Sequence, residues 1–208
     1  MNDYVSKRNE LLAQKVIKGL NSRNMTGHWA ADKDEALRIA LSLIPEGASV
    51  TMGGATSAIE IGLVDAVKNG SYEFLDRAVG DPREALLRGY DADVFLSGAN
   101  AITEDGVLVN IDGNANRVSY ICNGPRKVIM IVGMNKVCPD VDSAVKRARS
   151  VAAVTNAQRF PVDTPCKKVG ACMNCKSMDT ICCQFLITRF SRHADRIHVI
   201  LCNDALGF

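Results

Sequence analysis

Cys166, Cys172, Cys175 and Cys182 stand in the spacing C-x5-C-x2-C-x6-C, with Cys183 immediately after. The C-x2-C core lets one loop present two sulphurs to a single centre. The outer pair can complete a four-thiolate set after about one more turn of chain on each side. Gly170 helps the chain fold back between them. Zinc and a 4Fe–4S cluster both satisfy this spacing. The stretch from Cys166 to His198 carries Lys167, Lys168, Lys176, Arg189, Arg192 and Arg196 against Asp179 and Asp195. That basic excess balances the negative charge of either centre and does not choose between them. Adjacent side chains point apart, so Cys182 and Cys183 do not both serve one centre, and spacing leaves the fourth ligand open. The bland alternative is a set of apolar fillers in a small lobe. Cys122, Cys138 and Cys202 lie at or beside expected strand ends and read as core or near-core packing.

Two further stretches could bind or react. Met52-Gly53-Gly54-Ala55-Thr56-Ser57 joins an expected strand to an expected helix, where backbone amides can hold a phosphate or carboxylate. It is neither a Walker sequence nor a GxGxxG fingerprint; a glycine turn needed only for packing is the competing reading. Gly98-Ala99-Asn100-Ala101-Ile102-Thr103-Glu104-Asp105-Gly106 puts small and polar residues at the end of a buried strand, where open α/β sheets commonly bind ligands. Glu104 is the candidate carboxylate base or nucleophile, and Asp105 a turn former. Asn110, Asn114, Asn116 and Arg117 follow, and the Arg117 fork can grip a small anion in two places, or else form a surface salt bridge. His28, His193 and His198 share no metal-ligand spacing, and neither a G-x-S-x-G elbow nor an H-E-x-x-H motif is present.

The elements that position these residues alternate. The apolar spacing predicts a helix over 3–20 that ends near Gly19, and a second helix capped by Asp32 and Glu35 and closed by Pro45. A strand runs through Ala48–Met52, and Ser57 with Glu60 opens the next helix. Asp81, Pro82 and Glu84 mark another start. From Asp93 the stretches DVFLSG, GVLVNID, RVSYIC and KVIMIVG read as strands, the last apolar on both alternations and so central to a sheet covered on two sides. Asp140 to Ala153 returns to helix, and IHVILC at 197–202 is a further buried strand. This pattern predicts an α/β fold: a mixed, largely parallel sheet with helices on both faces and an antiparallel meander between 93 and 132. Residues 1–160 form the expected domain. Residues 161–208 form a small cysteine-rich appendage whose final strand packs back on it.

The formal net charge of +2 and the lack of a Lys/Arg block interleaved with aromatics argue against a nucleic-acid partner. No apolar run approaches the roughly 18 residues that span a membrane, and the first residues lack a signal-peptide core. The expectation is a cytoplasmic chain, in whose reducing surroundings eight cysteines are not a disulfide scaffold.

The strings MGGATSAIEIGL, SGANAITEDGVLVNIDGNANRV, NGPRKVIMIVGMNKV and PCKKVGACMNCKSMDTIC closely resemble the LUD-domain family of lactate-utilisation proteins. The resemblance implies an α/β fold of the NagB/RpiA/CoA-transferase type. It matches Gly53, Gly54 and Thr56 to the family's first glycine loop, Asn100, Thr103, Glu104, Asp105 and Gly106 to its central turn, and Asn116-Arg117 to its Asn-Arg pair. It also matches Cys166, Cys172, Cys175 and Cys182 to a cysteine tail of some relatives, which favours Cys182 as the fourth ligand. Asn114-Ala115 and Thr180 depart from the family pattern. The implied function is a redox accessory protein of organic-acid metabolism. It would carry an iron-sulphur centre, bind a small organic acid or phosphate, and work with a redox protein partner. A CoA-transferase or isomerase-like enzyme, with Glu104 as its carboxylate and a structural zinc, is the second expectation. A sensor or scaffold is the third, and self-association is compatible with all three.

Overall fold

The computed structural model describes residues 3–208. Its elements are α1 (Asp3–Ser22), β1 (Thr26–Ala30), α2 (Lys33–Ser42), β2 (Ser49–Met52), α3 (Thr56–Glu60), α4 (Leu63–Asn69) and β3 (Glu73–Leu75). They continue with α5 (Pro82–Tyr90), β4 (Val94–Ser97), β5 (Ala101–Thr103), β6 (Leu108–Asp112), α6 (Asn116–Asn123) and β7 (Lys127–Gly133). A single 3-10 turn at Met134–Lys136 leads to β8 (Val137–Cys138) and α7 (Val141–Arg147). A π turn at Ala148–Ala153 joins α7 to α8 (Val154–Ala157). The chain closes with α9 (Pro165–Val169), β9 (Gln184–Thr188) and β10 (Ile197–Cys202).

Six strands form a parallel sheet in the order β1-β10-β7-β4-β2-β3. Alternate residues of its central strands feed two cores. Ile129, Ile131, Ile200 and Cys202 face Ala36, Ala40, Ala58, Leu63 and Val67 from α2, α3 and α4. Val128, Met130, Val132, Val199 and Leu201 face Ala13, Val16 and Leu20 from α1, with Tyr120 and Ile121 from α6. Helices on both faces explain why KVIMIVG is apolar at every position after Lys127. Four short strands form a second sheet, β8-β5-β6-β9, in which β6 runs antiparallel to both neighbours. The expected antiparallel pairing is therefore the β5–β6 hairpin, set apart from the main sheet. β10 lies inside the main sheet between β1 and β7, and β9 edges the second, so both strands after the cysteines are integrated with earlier chain.

Three local expectations differ from the structure. RVSYIC is a helix: Val118 and Ile121, three apart, are buried on one face, and the Asp112 carboxylate accepts from the amides of Arg117 and Val118 at 3.0 and 3.2 Å. Its β-branched content suggested a strand, and this cap with tertiary burial overrides that preference. Helix α1 runs on past Gly19 to Ser22, and a Cβ at Gly19 would collide with the Asp105 carbonyl of the β5–β6 turn. Gly19 is a close-approach glycine and does not stop the helix. Cys122 is exposed at the end of α6, whereas Cys138 and Cys202 are buried as expected. Among the described residues no helix is long and apolar enough to cross a membrane.

Candidate functional site

A cavity of about 580 Å³ opens outside the carboxyl ends of the parallel strands. Ligand crevices of open α/β sheets occupy this place. Gly54–Ser57 follow β2, Arg77 follows β3, Gly98–Asn100 follow β4, and Lys136 follows β7; all line it. Arg117 and Asn116 enter from the first turn of α6, and Arg159 from the chain after α8.

Arg117 organises the floor. Its Nη2 donates to Asn100 Oδ1 at 3.0 Å and to the Ile111 carbonyl at 2.5 Å, while Nε lies 3.9 Å from the Asp112 carboxylate. Asn100 Oδ1 also accepts from the Ile111 amide at 2.8 Å, which fixes the amide's orientation. Burial lowers the Arg117 pKa, Asp112 opposes that shift, and Arg77 adds to it. Guanidinium stays charged at any ordinary pH, so this is a buried cation that an anion would stabilise. Gly53 has a steric part here: a Cβ would stand 3.1 Å from Arg117 Cγ and Cδ, so glycine leaves room for the arginine stem. Gly54 has open space before it, and Thr56 Oγ1 accepts from Arg159 Nη1 at 3.2 Å.

Lys136, like Arg77 and Arg159, was missed by sequence reading. It is 4% exposed and its Nζ lies 3.0 Å from Ser57 Oγ. Burial and the charges of Arg147 and Arg117, against Glu60, bring its pKa down to about 8. Its signal was its place just beyond the carboxyl end of the most apolar strand, where ligand-binding residues gather. Arg77, Arg117, Lys136 and Arg159 outnumber the two acidic side chains of the cavity wall, Asp112 and Asp179. The arrangement suits a small anion with further polar groups.

The structure does not bring Glu104 or Thr103 to this cavity. Glu104 Oε2 pairs with Lys15 Nζ of α1 at 2.5 Å, and its amide donates to the Cys138 carbonyl. Thr103 is fully buried and its Oγ1 accepts from the Val107 amide, closing the β5–β6 turn, and Arg23 pairs with Asp105 beside it. That turn is built against α1.

The four cysteines do come together. Cys166, Cys172, Cys175 and Cys182 line one small cavity of about 80 Å³ with Thr180, Ile181 and Phe185. Two left-handed residues shape the loop, Gly170 at φ 69° and Asn174 at φ 50° inside the C-x2-C step. Arg149 Nη2 donates to Asn174 Oδ1 at 2.5 Å and lies 3.7 Å from Cys172 Sγ. Cys182 is half-buried against the small apolar cluster that contains Val109, Ile111 and Ala148, and burial with the neighbouring thiols pushes it up to about 11. Cys183 is exposed, is absent from the cavity wall, and turns its Sγ to the Thr180 carbonyl. Among the described residues no group of three or more His, Cys, Asp or Glu side chains is arranged to hold a metal ion. In kind, though not yet in placement, the donors suit a soft metal or cluster: four thiols line one cavity beside a guanidinium.

The two cavities touch. Thr180 and Ile181 belong to the walls of both, and Ile181 Cα lies 3.3 Å from where a Cβ of Gly113 would stand.

A parallel α/β sheet with a cationic crevice at its strand ends, and a thiol-lined loop against that crevice, defines an α/β domain with an added cysteine-lined cavity. Residues 13–202 match the LUD domain, and the chain belongs to that family. A DUF162 family protein from Deinococcus radiodurans shares the fold, with a TM-score of 0.53 and 13% identity over 94% of this chain and 98% of that one. Ribose 5-phosphate isomerase A from Neisseria gonorrhoeae is similar over 53% of this chain and 56% of its own, at 16% identity and a TM-score of 0.35. For eIF2B delta from Chaetomium thermophilum the shares are 67% and 57%, at 17% identity and a TM-score of 0.37. A search of curated proteins finds no match.

Proposed function

We propose that this LUD-domain protein is a redox accessory protein of organic-acid metabolism. Its cationic cavity binds a small carboxylic acid of the lactate type, and Cys166, Cys172, Cys175 and Cys182 hold a 4Fe–4S cluster beside it. The observation that carries this reading is the shared Thr180–Ile181 wall, which sets the thiol cavity directly against the anion cavity. When bound, the cluster supplies one-electron transfer; zinc has no redox chemistry and would leave only a structural staple. The chain's own residues do the binding. Arg117, with Arg77 and Arg159, faces the acid's carboxylate, while Ser57, Asn100 and Asn116 offer polar groups to its remaining oxygens.

Anaerobic purification with iron, acid-labile sulphide and zinc analysis tests the centre. Four iron and four sulphide per chain with visible absorbance are expected for a 4Fe–4S cluster. Zinc alone overturns the redox role. Calorimetric titration with lactate and pyruvate tests the cavity, and absence of binding to both overturns the acid site.

A further inference from the structure

Lys136 has no carboxylate within ion-pair distance among the described residues, although it is 4% exposed. Among the described residues the one hydrogen-bond partner of its Nζ is Ser57 Oγ, itself on a residue 2% exposed. A buried lysine without a carboxylate is costly, and neither packing nor a salt bridge accounts for its charge here. The chain also passes closely over it: a Cβ on Gly207 would stand 3.1 Å from Nζ and 2.9 Å from Ser57 Oγ. The amine is thus confined within the wall of the cavity that also holds Arg117, Arg77 and Arg159.

We propose that Lys136 Nζ is a nucleophile that captures a small 2-oxo acid as an imine while the guanidinium cluster holds its carboxylate. This deepens the acid-binding reading and rests on it. An amine flanked by cations and shielded from water keeps a neutral fraction near physiological pH, as a Schiff-base lysine requires. The fall to about 8, caused first by burial, agrees with that geometry. A 2-oxo acid carries its carbonyl on the carbon next to its carboxylate, so the amine and the guanidinium must serve one small molecule. Arg117 lies close enough for its charge to act on Lys136. In the step, the Nζ lone pair forms a C–N bond to the carbonyl carbon and the C=O pair moves to oxygen. That oxygen takes the amine's surplus proton, for which the Ser57 hydroxyl is the adjacent relay. A second proton and loss of water leave the iminium. Ammonium and ketone have then become iminium and water, with no oxidant or reductant consumed. A 2-hydroxy acid binds through the same carboxylate but has no carbonyl to capture.

The test uses the full chain, purified anaerobically, incubated with pyruvate and cyanoborohydride, and mapped by peptide mass spectrometry. One saturable adduct on the Lys136 peptide is expected, adding pyruvic acid less one oxygen atom. Excess lactate should suppress it, and Lys136→Met should abolish it. Mapping the unmutated chain keeps the result decisive if that variant folds poorly. Calorimetric binding of pyruvate without an adduct at Lys136, or labelling scattered over exposed lysines, overturns the imine and leaves the acid site standing. If neither pyruvate nor lactate binds, the acid reading falls and the imine falls with it.

Discussion

Arg117 Nη2 lies 3.0 Å from Asn100 Oδ1, so the turn after β4 and the first turn of α6 are bound to one another across the floor of the cationic cavity. The same oxygen takes the Ile111 amide, and the same Nη2 reaches the Ile111 carbonyl, which ties both to β6. The arginine is thus held before any ligand arrives, as an ion-binding site requires if ordering its long side chain is not to weaken binding.

Replacing Arg117 by alanine removes a buried cation and strands the Ile111 carbonyl. Acid affinity should fall by at least about tenfold, and stability by about 1–3 kcal/mol, the usual cost of an unmet buried group. Arg117→Lys keeps charge but loses the fork, so its affinity should also fall while the fold survives. Calorimetry and urea denaturation measure the two effects. Unchanged affinity in both variants would place the ligand elsewhere.

The cysteine cavity separates two neighbours that sequence spacing could not. Cys182 lines the cavity and packs against the apolar cluster around Val109 and Ile111, whereas Cys183 is exposed and turned to the Thr180 carbonyl. Cys182→Ser should strongly lower the metal or cluster content of anaerobically purified protein, and Cys183→Ser should leave it near the wild-type level. Iron and sulphide analysis of the pair reads this directly, and the reverse pattern would assign the fourth ligand to Cys183.

Lys136 ties stability to pH. Its pKa stands at about 8 in the folded chain against 10.5 for an ordinary lysine, so the unfolded chain binds more protons between those values. Stability contributed at this site therefore rises as pH climbs from about 8 to 10.5, and the penalty is complete below about 8. The shift corresponds to roughly 3 kcal/mol in all. Arg147, Arg117 and Glu60 are the charges that act on it. Lys136→Met should flatten this rise; the difference between the two denaturation curves isolates it from tyrosine and cysteine titrations common to both. An unchanged pH slope would show that Lys136 is not buried as an amine.

Local patterns were the legible part of this molecule. The cysteine spacing lies within one loop, and Gly53 through Ser57 are a contiguous turn, so both candidate sites could be named from sequence. What could not be read was which neighbours diverge in space. Asn100 turns into the cavity, yet Thr103 and Glu104, a few residues on, belong to a hairpin turn pressed on α1. Lys136 and Arg159 meet the glycine loop only because β7 and the chain after α8 end at the same side of the sheet, which no local periodicity encodes. RVSYIC shows the same limit at the level of an element. Its residues suit a strand, and burial against β4 and α5, with Tyr120 donating to the Leu86 carbonyl at 2.7 Å, makes it a helix.

Glu104 offers the sharpest separation between resemblance and geometry. A catalytic carboxylate must reach its substrate, and this one is paired at 2.5 Å with Lys15, a lysine whose side chain is 63% exposed. Exposed pairs of this type contribute about 0–1 kcal/mol, because water screens the charges and two long side chains lose freedom. Glu104→Ala should therefore leave acid affinity unchanged and lower stability by less than about 1 kcal/mol. Its backbone amide still donates to the Cys138 carbonyl, so the turn itself should hold. Pyruvate and lactate titrations beside a denaturation curve measure both. Loss of binding or of adduct formation in a folded Glu104→Ala protein would mean that the β5–β6 turn moves to the cavity when ligand is bound, and would return this carboxylate to the chemistry.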